Sequence, residues 1–263
     1  EISFIDIQGN PLTGVTATTD DSQVIFDNTK PTLNPITISS DNLCSSGAIA
    51  KSGNIISINF TSLESLLSSF AIVMDDTVTI TDLGSSQYQI DYILNESDTE
   101  GNVSFLIRVV DLSGNISEDI TATTDNSNVV FDNTKPVITN MHIESNNQAA
   151  STIAIEGNTV TLTFESNESL SSASVDILGS TIIPSENGGV YSASYIIQSS
   201  DMGDGGFINF SVDFVDCPGN IGLTDSTTTD DSFVSIDIGP PSMISVKIFS
   251  SNEDSSWAKV DDS

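Results

Sequence analysis

Apolar residues along this chain recur at every second position in short runs, with Ser, Asn, Asp and Gly between the runs. Ile56, Ile58 and Phe60 form one run, Tyr88, Ile90, Tyr92 and Leu94 another, and Val103, Phe105, Ile107 and Val109 a third. A two-residue period describes a strand with one face buried and one in water. Ile36 with Ile38, Phe70 with Ile72, and Val78 with Ile80 mark three shorter strands, and the threonine-rich stretch after Asn115 supplies a seventh.

The pattern then repeats. Val160, Leu162 and Phe164 replace the 56–60 run; Tyr191, Ala193, Tyr195 and Ile197 replace 88–94; Ile208, Phe210, Val212 and Phe214 replace 103–109. Fixed markers give the period. Asp6, Asp111 and Asp216 each open a D-x-x-G-N turn, Asp20, Asp125 and Asp230 each end a threonine-rich run, and Pro31, Pro136 and Pro241 follow Asp-led linkers, all 105 residues apart. An internal period decides the architecture before any other feature. Seven short strands per period predict an all-β fold of tandem immunoglobulin-like sandwiches in an elongated array. The expected units are residues 31–135 and 136–240, with 1–30 as the closing strands of a truncated copy. Residues 241–263 start a further copy, with Val246 and Ile248 in its first strand, and the chain reads as a segment of a longer protein. Twenty residues between Asn115 and Pro136 exceed one strand, so a bulge or short hairpin at 125–128 is expected to absorb the surplus.

Charge narrows the function. Six basic residues face thirty-seven acidic ones, a formal net charge of −31. Such a chain does not bind nucleic-acid phosphates, and an anionic membrane surface repels it. No stretch has the length of an apolar membrane span. Hydrophobic residues are 37% of the chain but regularly placed, which argues for folded strands rather than disorder.

Catalytic chemistry is poorly provided for. His142 is the single histidine and lies between inward-facing Met141 and Ile143, so it should face solvent. There is no histidine pair for zinc, no nucleophile elbow and no phosphate-binding glycine loop, and no enzyme is expected. The acids suit Ca2+, which takes six to eight oxygen ligands. Alternating strand directions bring the linker at Asp132 and Asn133 towards Asp98 and Glu100 on one side and Glu165, Glu168 and Asp216 on the other. The equivalent junction one repeat earlier uses Asp27, Glu64 and Asp111. The same topology brings Cys44 and Cys217 to one junction, as a disulfide or as two thiols. Sequons occur at Asn59, Asn95, Asn102, Asn115, Asn167 and Asn209, where an exported protein could carry glycans.

The order D-x-x-G-N, TATTD, DNTKP resembles the tandem immunoglobulin-like repeats of large archaeal and bacterial cell-surface proteins. The stretches 48–54 and 97–101 fit the same pattern, whereas Asp237-Ile-Gly-Pro-Pro departs from the linker form. The resemblance implies a structural, extracellular, cell-surface role, as a surface-layer lattice subunit or as an adhesin stalk. Its partners would be divalent cations and neighbouring copies or domains of the same protein. A carbohydrate-binding module is disfavoured because aromatics are only 6% of the chain and the tyrosines alternate with polar residues.

Overall fold

The computed structural model of the chain describes residues 2–203, 205–239, 243–251, 253, 256 and 257. It divides into two compact units, Glu1–Thr134 with Cys217–Asn220, and Lys135–Asp216 with Ile221–Ser263. Regular structure in both is almost entirely β.

The first unit opens with a hairpin, β1 (Ile2–Ile5) and β2 (Pro11–Val15), reversed at residues 6–10. Its sandwich follows as β3 (Leu33–Ser40), β4 (Ile49–Ala50), β5 (Ile55–Ser62), β6 (Leu66–Val73), β7 (Asp76–Val78), β8 (Thr81–Gly84), β9 (Gln87–Ile93), β10 (Gly101–Asn102), β11 (Phe105–Asp111) and β12 (Val130–Phe131). One sheet runs β3-β5-β9-β8 and the facing sheet β11-β6-β7. A third, short sheet, β10-β12-β4, closes one end. Register puts the alternating apolar residues opposite one another: Ile38 pairs with Ile58 and Ile58 with Ile90, while Ile107 pairs with Ala71. All of these are buried, and Phe60 stacks on Tyr88 with ring centroids 5.2 Å apart.

The second unit follows the same plan, with β13 (Ile138–Ser145), β14 (Ile153–Ala154), β15 (Thr159–Ser166), β16 (Leu170–Ile177), β17 (Ser180–Ile182), β18 (Ser185–Asn187), β19 (Val190–Ile196), β20 (Gly206–Phe207), β21 (Phe210–Asp216) and β22 (Ser235–Ile236). Its sheets are β13-β15-β19-β18, β17-β16-β21 and β14-β22-β20, so strand order matches the first unit element by element. The stack of Phe164 on Tyr191 takes the place of Phe60 on Tyr88.

Four expectations need correction. In β6 the buried residues are Ala71 and Val73, whereas Phe70 is 42% exposed. A one-residue shift turns every side chain of a strand to the other face, and the larger Phe70 and Ile72 had drawn the sequence reading onto the wrong one. No continuous strand forms after Asn115 either. Isolated bridges join Val110 to Ile116 and Ile107 to Ile120, and the chain then leaves that sheet. It crosses to the opposite sheet, where Thr124 N–H donates to Ile36 O at 3.0 Å and Ile36 N–H to Thr124 Oγ1 at 2.9 Å. At 125–128 the device is an Asx turn: Ser127 N–H donates to Asp125 Oδ1, Thr123 Oγ1 donates to Ser127 O, and Asn126 has φ 61°. Beyond it β12 runs parallel to β4 and antiparallel to β10. The surplus length thus covers the edge of β3 and builds the end sheet, which manages a strand edge that would otherwise be bare.

Residues 243–250 form no strand, and Val246 is 77% and Ile248 95% exposed. Pro240 and Pro241, at the expected boundary of the last copy, lie outside the described residues.

Candidate metal site

The D-x-x-G-N turn is held by its own aspartate. Asp111 Oδ1 accepts from Ser113 N–H at 2.8 Å and Asn115 N–H at 2.9 Å, and Oδ2 accepts from Asn115 Nδ2 at 2.8 Å. Gly114 takes φ 90°, which a side chain would oppose. The 6–10 turn is built in the same way around Asp6. Asp111 is 1% exposed. Burial pushes its carboxyl up, but the hydrogen bonds from Asn115, Ser113 and Gly114 outweigh that and hold it below the ordinary aspartate value.

Asp111 does not stand alone. Oxygen atoms of Asp27, Glu64 and Asp111 all lie within 4.8 Å of one another. Three separate stretches supply them: the chain before β3, the connection between β5 and β6, and the end of β11. Asn115 ties two of these together, since its Nδ2 also donates to Asp27 O at 3.3 Å. Glu64 carries the cost of the crowding. Burial first, then the charges of Asp111 and Asp27, push its carboxyl above the ordinary glutamate value. Three hard oxygen donors with an unfavourable mutual field fit a divalent cation of the calcium type. In the second unit, carboxylate oxygens of Glu168 and Asp216 also lie within 4.8 Å, with Asp216 fully buried.

The other predicted ligands also make hydrogen bonds. Asp98 accepts from Asn95 N–H at 2.8 Å and from the Tyr92 hydroxyl at 3.0 Å. Burial above all, helped by the carboxylates of Asp98 and Asp76 against the Asn95 amide, pushes that hydroxyl up to about 12. Glu100 accepts from Asn133 N–H and Thr134 Oγ1. Asn133 Oδ1 accepts from Ser52 N–H, Asp132 Oδ1 from Thr134 N–H, and Glu165 from Asn140 Nδ2. These contacts build turns and fasten linkers. Asp98 thus closes a loop around Tyr92, and Glu100 fastens residues 133 and 134.

Cys44 and Cys217 form a disulfide with Cα atoms 5.7 Å apart, inside the first unit. Residues 217–220 are seated there by further contacts that the sequence reading missed. Asn42 Nδ2 donates to Pro218 O at 2.9 Å and to Asn54 Oδ1 at 2.9 Å, and Asn220 Nδ2 donates to Asp132 O at 3.0 Å. The recurrence of Asn five positions into every D-x-x-G-N turn was the available signal.

Of the sequon asparagines, Asn59, Asn95, Asn102, Asn167 and Asn209 are exposed, whereas Asn115 is half-buried with Nδ2 committed to Asp111 and Asp27. His142 is half-buried, with 42% of its side chain exposed, and its Nδ1 lies 2.6 Å from Asp230 Oδ2. Hydrogen bonding by Ser232, then by His142, lowers Asp230 to about 2 from 3.8. A depressed carboxyl stabilises the fold above its unfolded value and loses that contribution as pH falls towards the folded one. Asp230→Asn should therefore flatten the acid-unfolding curve of the second unit between pH 3.8 and about 2. Far-UV circular dichroism during acid titration would measure it, and a curve superimposable on the wild type would count against this pair.

No family model matches the sequence, and no curated protein matches it. Among solved structures, the chain is similar to the fibronectin(III)-like modules of Clostridium thermocellum CbhA, with 15% identity and TM-score 0.34 over 76% of this chain and 93% of that one. It is similar to a 1.5-MDa bacterial ice-binding adhesin, with 15% identity and TM-score 0.49 over 80% and 66%. A Ca2+-stabilized adhesin of an Antarctic bacterium gives 16% identity and TM-score 0.45 over 89% and 55%.

Proposed function

We propose that this chain is a structural spacer of a large extracellular surface protein, acting without catalysis and stiffened by calcium at its carboxylate groups. One observation carries this reading: two sandwich units share one plan, and the Asp27, Glu64 and Asp111 oxygens converge within 4.8 Å, with the Glu64 carboxyl pushed up by burial and then by the charges of Asp111 and Asp27. The disulfide suits an oxidising compartment. No helix among the described residues is long and apolar enough to cross a membrane. A net charge of −31 favours a surface-layer lattice, whose walls would concentrate cations. The tandem plan alone would serve an adhesin stalk equally well.

The sign of the Glu64 shift gives the experiment. Its folded-state value is raised, so ionised Glu64 costs stability at neutral pH, and a bound cation or loss of the charge relieves that cost. Glu64→Gln should raise the melting temperature in EDTA and blunt the rise that calcium gives the wild type. A single site contributes about 2.7 kcal/mol when the ion is at about 100 times its Kd. Wild-type melting that is the same in EDTA and calcium would sink the calcium reading. Electron microscopy of the calcium sample separates its two forms, as sheets for a lattice and separate particles for a stalk.

A further inference from the structure

His142 and Glu144 lie two residues apart on β13, on either side of buried Ile143, so both side chains stand on the solvent face of the sheet. Their cross-strand partners on β15 are the neutral Thr163 and Thr161. The imidazole is oriented from its other edge. Nδ1 lies 2.6 Å from Oδ2 of Asp230, whose Oδ1 accepts from Ser232 N–H at 3.0 Å and is fixed within its turn. An ionised carboxylate can only accept, so Nδ1 carries the proton, and in the neutral ring the lone pair is left on Nε2.

Nε2 faces Glu144, with Oε2 3.8 Å away. A tetrahedral ion at ordinary zinc–nitrogen and zinc–oxygen lengths separates two such donors by about 3.4 Å. Both side chains are partly exposed, at 42% and 58%, so rotation about their own bonds closes the difference.

The first unit holds the same place without these donors. Thr37, Ser39 and Asp125 stand at the positions of His142, Glu144 and Asp230. Asp125 keeps its turn, with Oδ1 accepting from Ser127 N–H at 3.0 Å. The orienting carboxylate is common to both units because it belongs to the closing turn. The nitrogen and oxygen donors are present together in the second unit and absent together from the first.

We propose that His142 Nε2 and Glu144 Oε2 chelate a divalent transition ion of the zinc or copper class, with Asp230 as the positioning residue and water in the remaining coordination places. An imidazole nitrogen selects such ions over calcium, which takes oxygen donors. A carboxylate on the second ring nitrogen is the usual support of a metal-bound histidine. Neither the spacer reading nor its calcium group depends on this ion.

The test uses the full-length chain, with its oxygen sites filled by excess calcium. Calorimetry with Zn2+ should show a single binding event, and electron paramagnetic resonance with Cu2+ should show nitrogen hyperfine splitting. Both should vanish in His142→Gln, which separates the ring from the N-terminal amine and the backbone. Glu144→Gln should weaken zinc about tenfold, and Asp230→Asn about 10- to 100-fold. Asp230→Asn keeps an oxygen for Ser232 N–H but turns an amide donor towards Nδ1, so nitrogen NMR of the single histidine should show the proton moved to Nε2. Thr37→His with Ser39→Glu should create a second zinc event in the first unit, an arm that leaves the second unit untouched. Zinc binding that survives His142→Gln, or an affinity unchanged by Glu144→Gln, would overturn the proposal, as would the absence of a second event in the first unit.

Discussion

Reduction of the Cys44–Cys217 disulfide should lower the thermal transition of the first unit more than any other single chemical change. The bond joins positions 173 residues apart. Releasing a loop of that length restores chain entropy to the unfolded state equivalent to about 5 kcal/mol at most. A second unit that remained folded would already restrict the ends, so the measured effect should be smaller. A fall of about 5–10 °C is the expected scale. Calorimetry of the Cys44→Ser, Cys217→Ser double variant measures it without a reductant. The hydrogen bonds of Asn42 to Pro218 and Asn220 to Asp132 should keep the turn seated in that variant, at weaker occupancy. An unshifted transition would mean that those contacts alone fix residues 217–220.

The second large effect concerns a size exchange between the units. Ser117 and Val109 are neighbours in the first unit, where Ser117 N–H donates to Val109 O and Val109 N–H donates to Ser117 Oγ. At the equivalent positions of the second unit Gly222 N–H donates to Phe214 O, and the phenyl ring fills the space of the absent side chain. A Cβ on Gly222 would lie 2.1 Å from a Phe214 ring atom. Phe214 is 3% exposed and buried in the core, so its ring has nowhere to move without strain. Gly222→Ser should therefore destabilise the second unit by about 1–3 kcal/mol or more. Phe214→Val alone should cost about 2–4 kcal/mol through the cavity it leaves. Combining the two reproduces the first unit's pair, so the double variant should be more stable than the sum of the single losses predicts. Denaturant unfolding of the four proteins gives the coupling. Strict additivity would show that the ring relocates freely and that the exchange is incidental.

Both predictions rest on details that the hydrophobic pattern shows unevenly. The 105-residue markers and the period-two runs expose the sandwich, because a half-buried strand must alternate wherever it lies. They failed at β6, where the bulk of Phe70 and Ile72 outweighed the small residues Ala71 and Val73 that actually face the core. They also failed after Asn115, because a segment that clips an edge through Thr124 and Ser127 needs hydroxyls, not alternation. The Asp27, Glu64 and Asp111 group was legible since topology alone places the ends of those strands together. Asp98 and Glu100 show that a carboxylate that caps a loop or fastens a linker looks the same in sequence as one that binds an ion. Asn42 and Asn54 left no signal at all, as amides are common throughout this chain.

The crossing segment has a consequence for how an array of such units reaches its correct form. The first sandwich stays open along β3 until residues 124 and 127 are in place, nearly ninety positions later in the chain, and the second along β13 until residues 229 and 232 are. The atoms that complete it are the same in both units: Ser127 Oγ accepts from Ile38 N–H, and Ser232 Oγ accepts from Ile143 N–H, each at 3.0 Å. Thr124 and Thr229 N–H likewise donate to Ile36 and Met141 O, each at 3.0 Å. Near-identical closing segments on neighbouring modules invite exchange during synthesis, a characteristic error of repeat proteins. What tells them apart lies beside the shared contacts. His142 stands where the first unit has Thr37, and it holds Asp230 with a bond that Asp125 does not receive. The pairing of His142 with Asp230 thus distinguishes the second unit's closing contacts from those of the first.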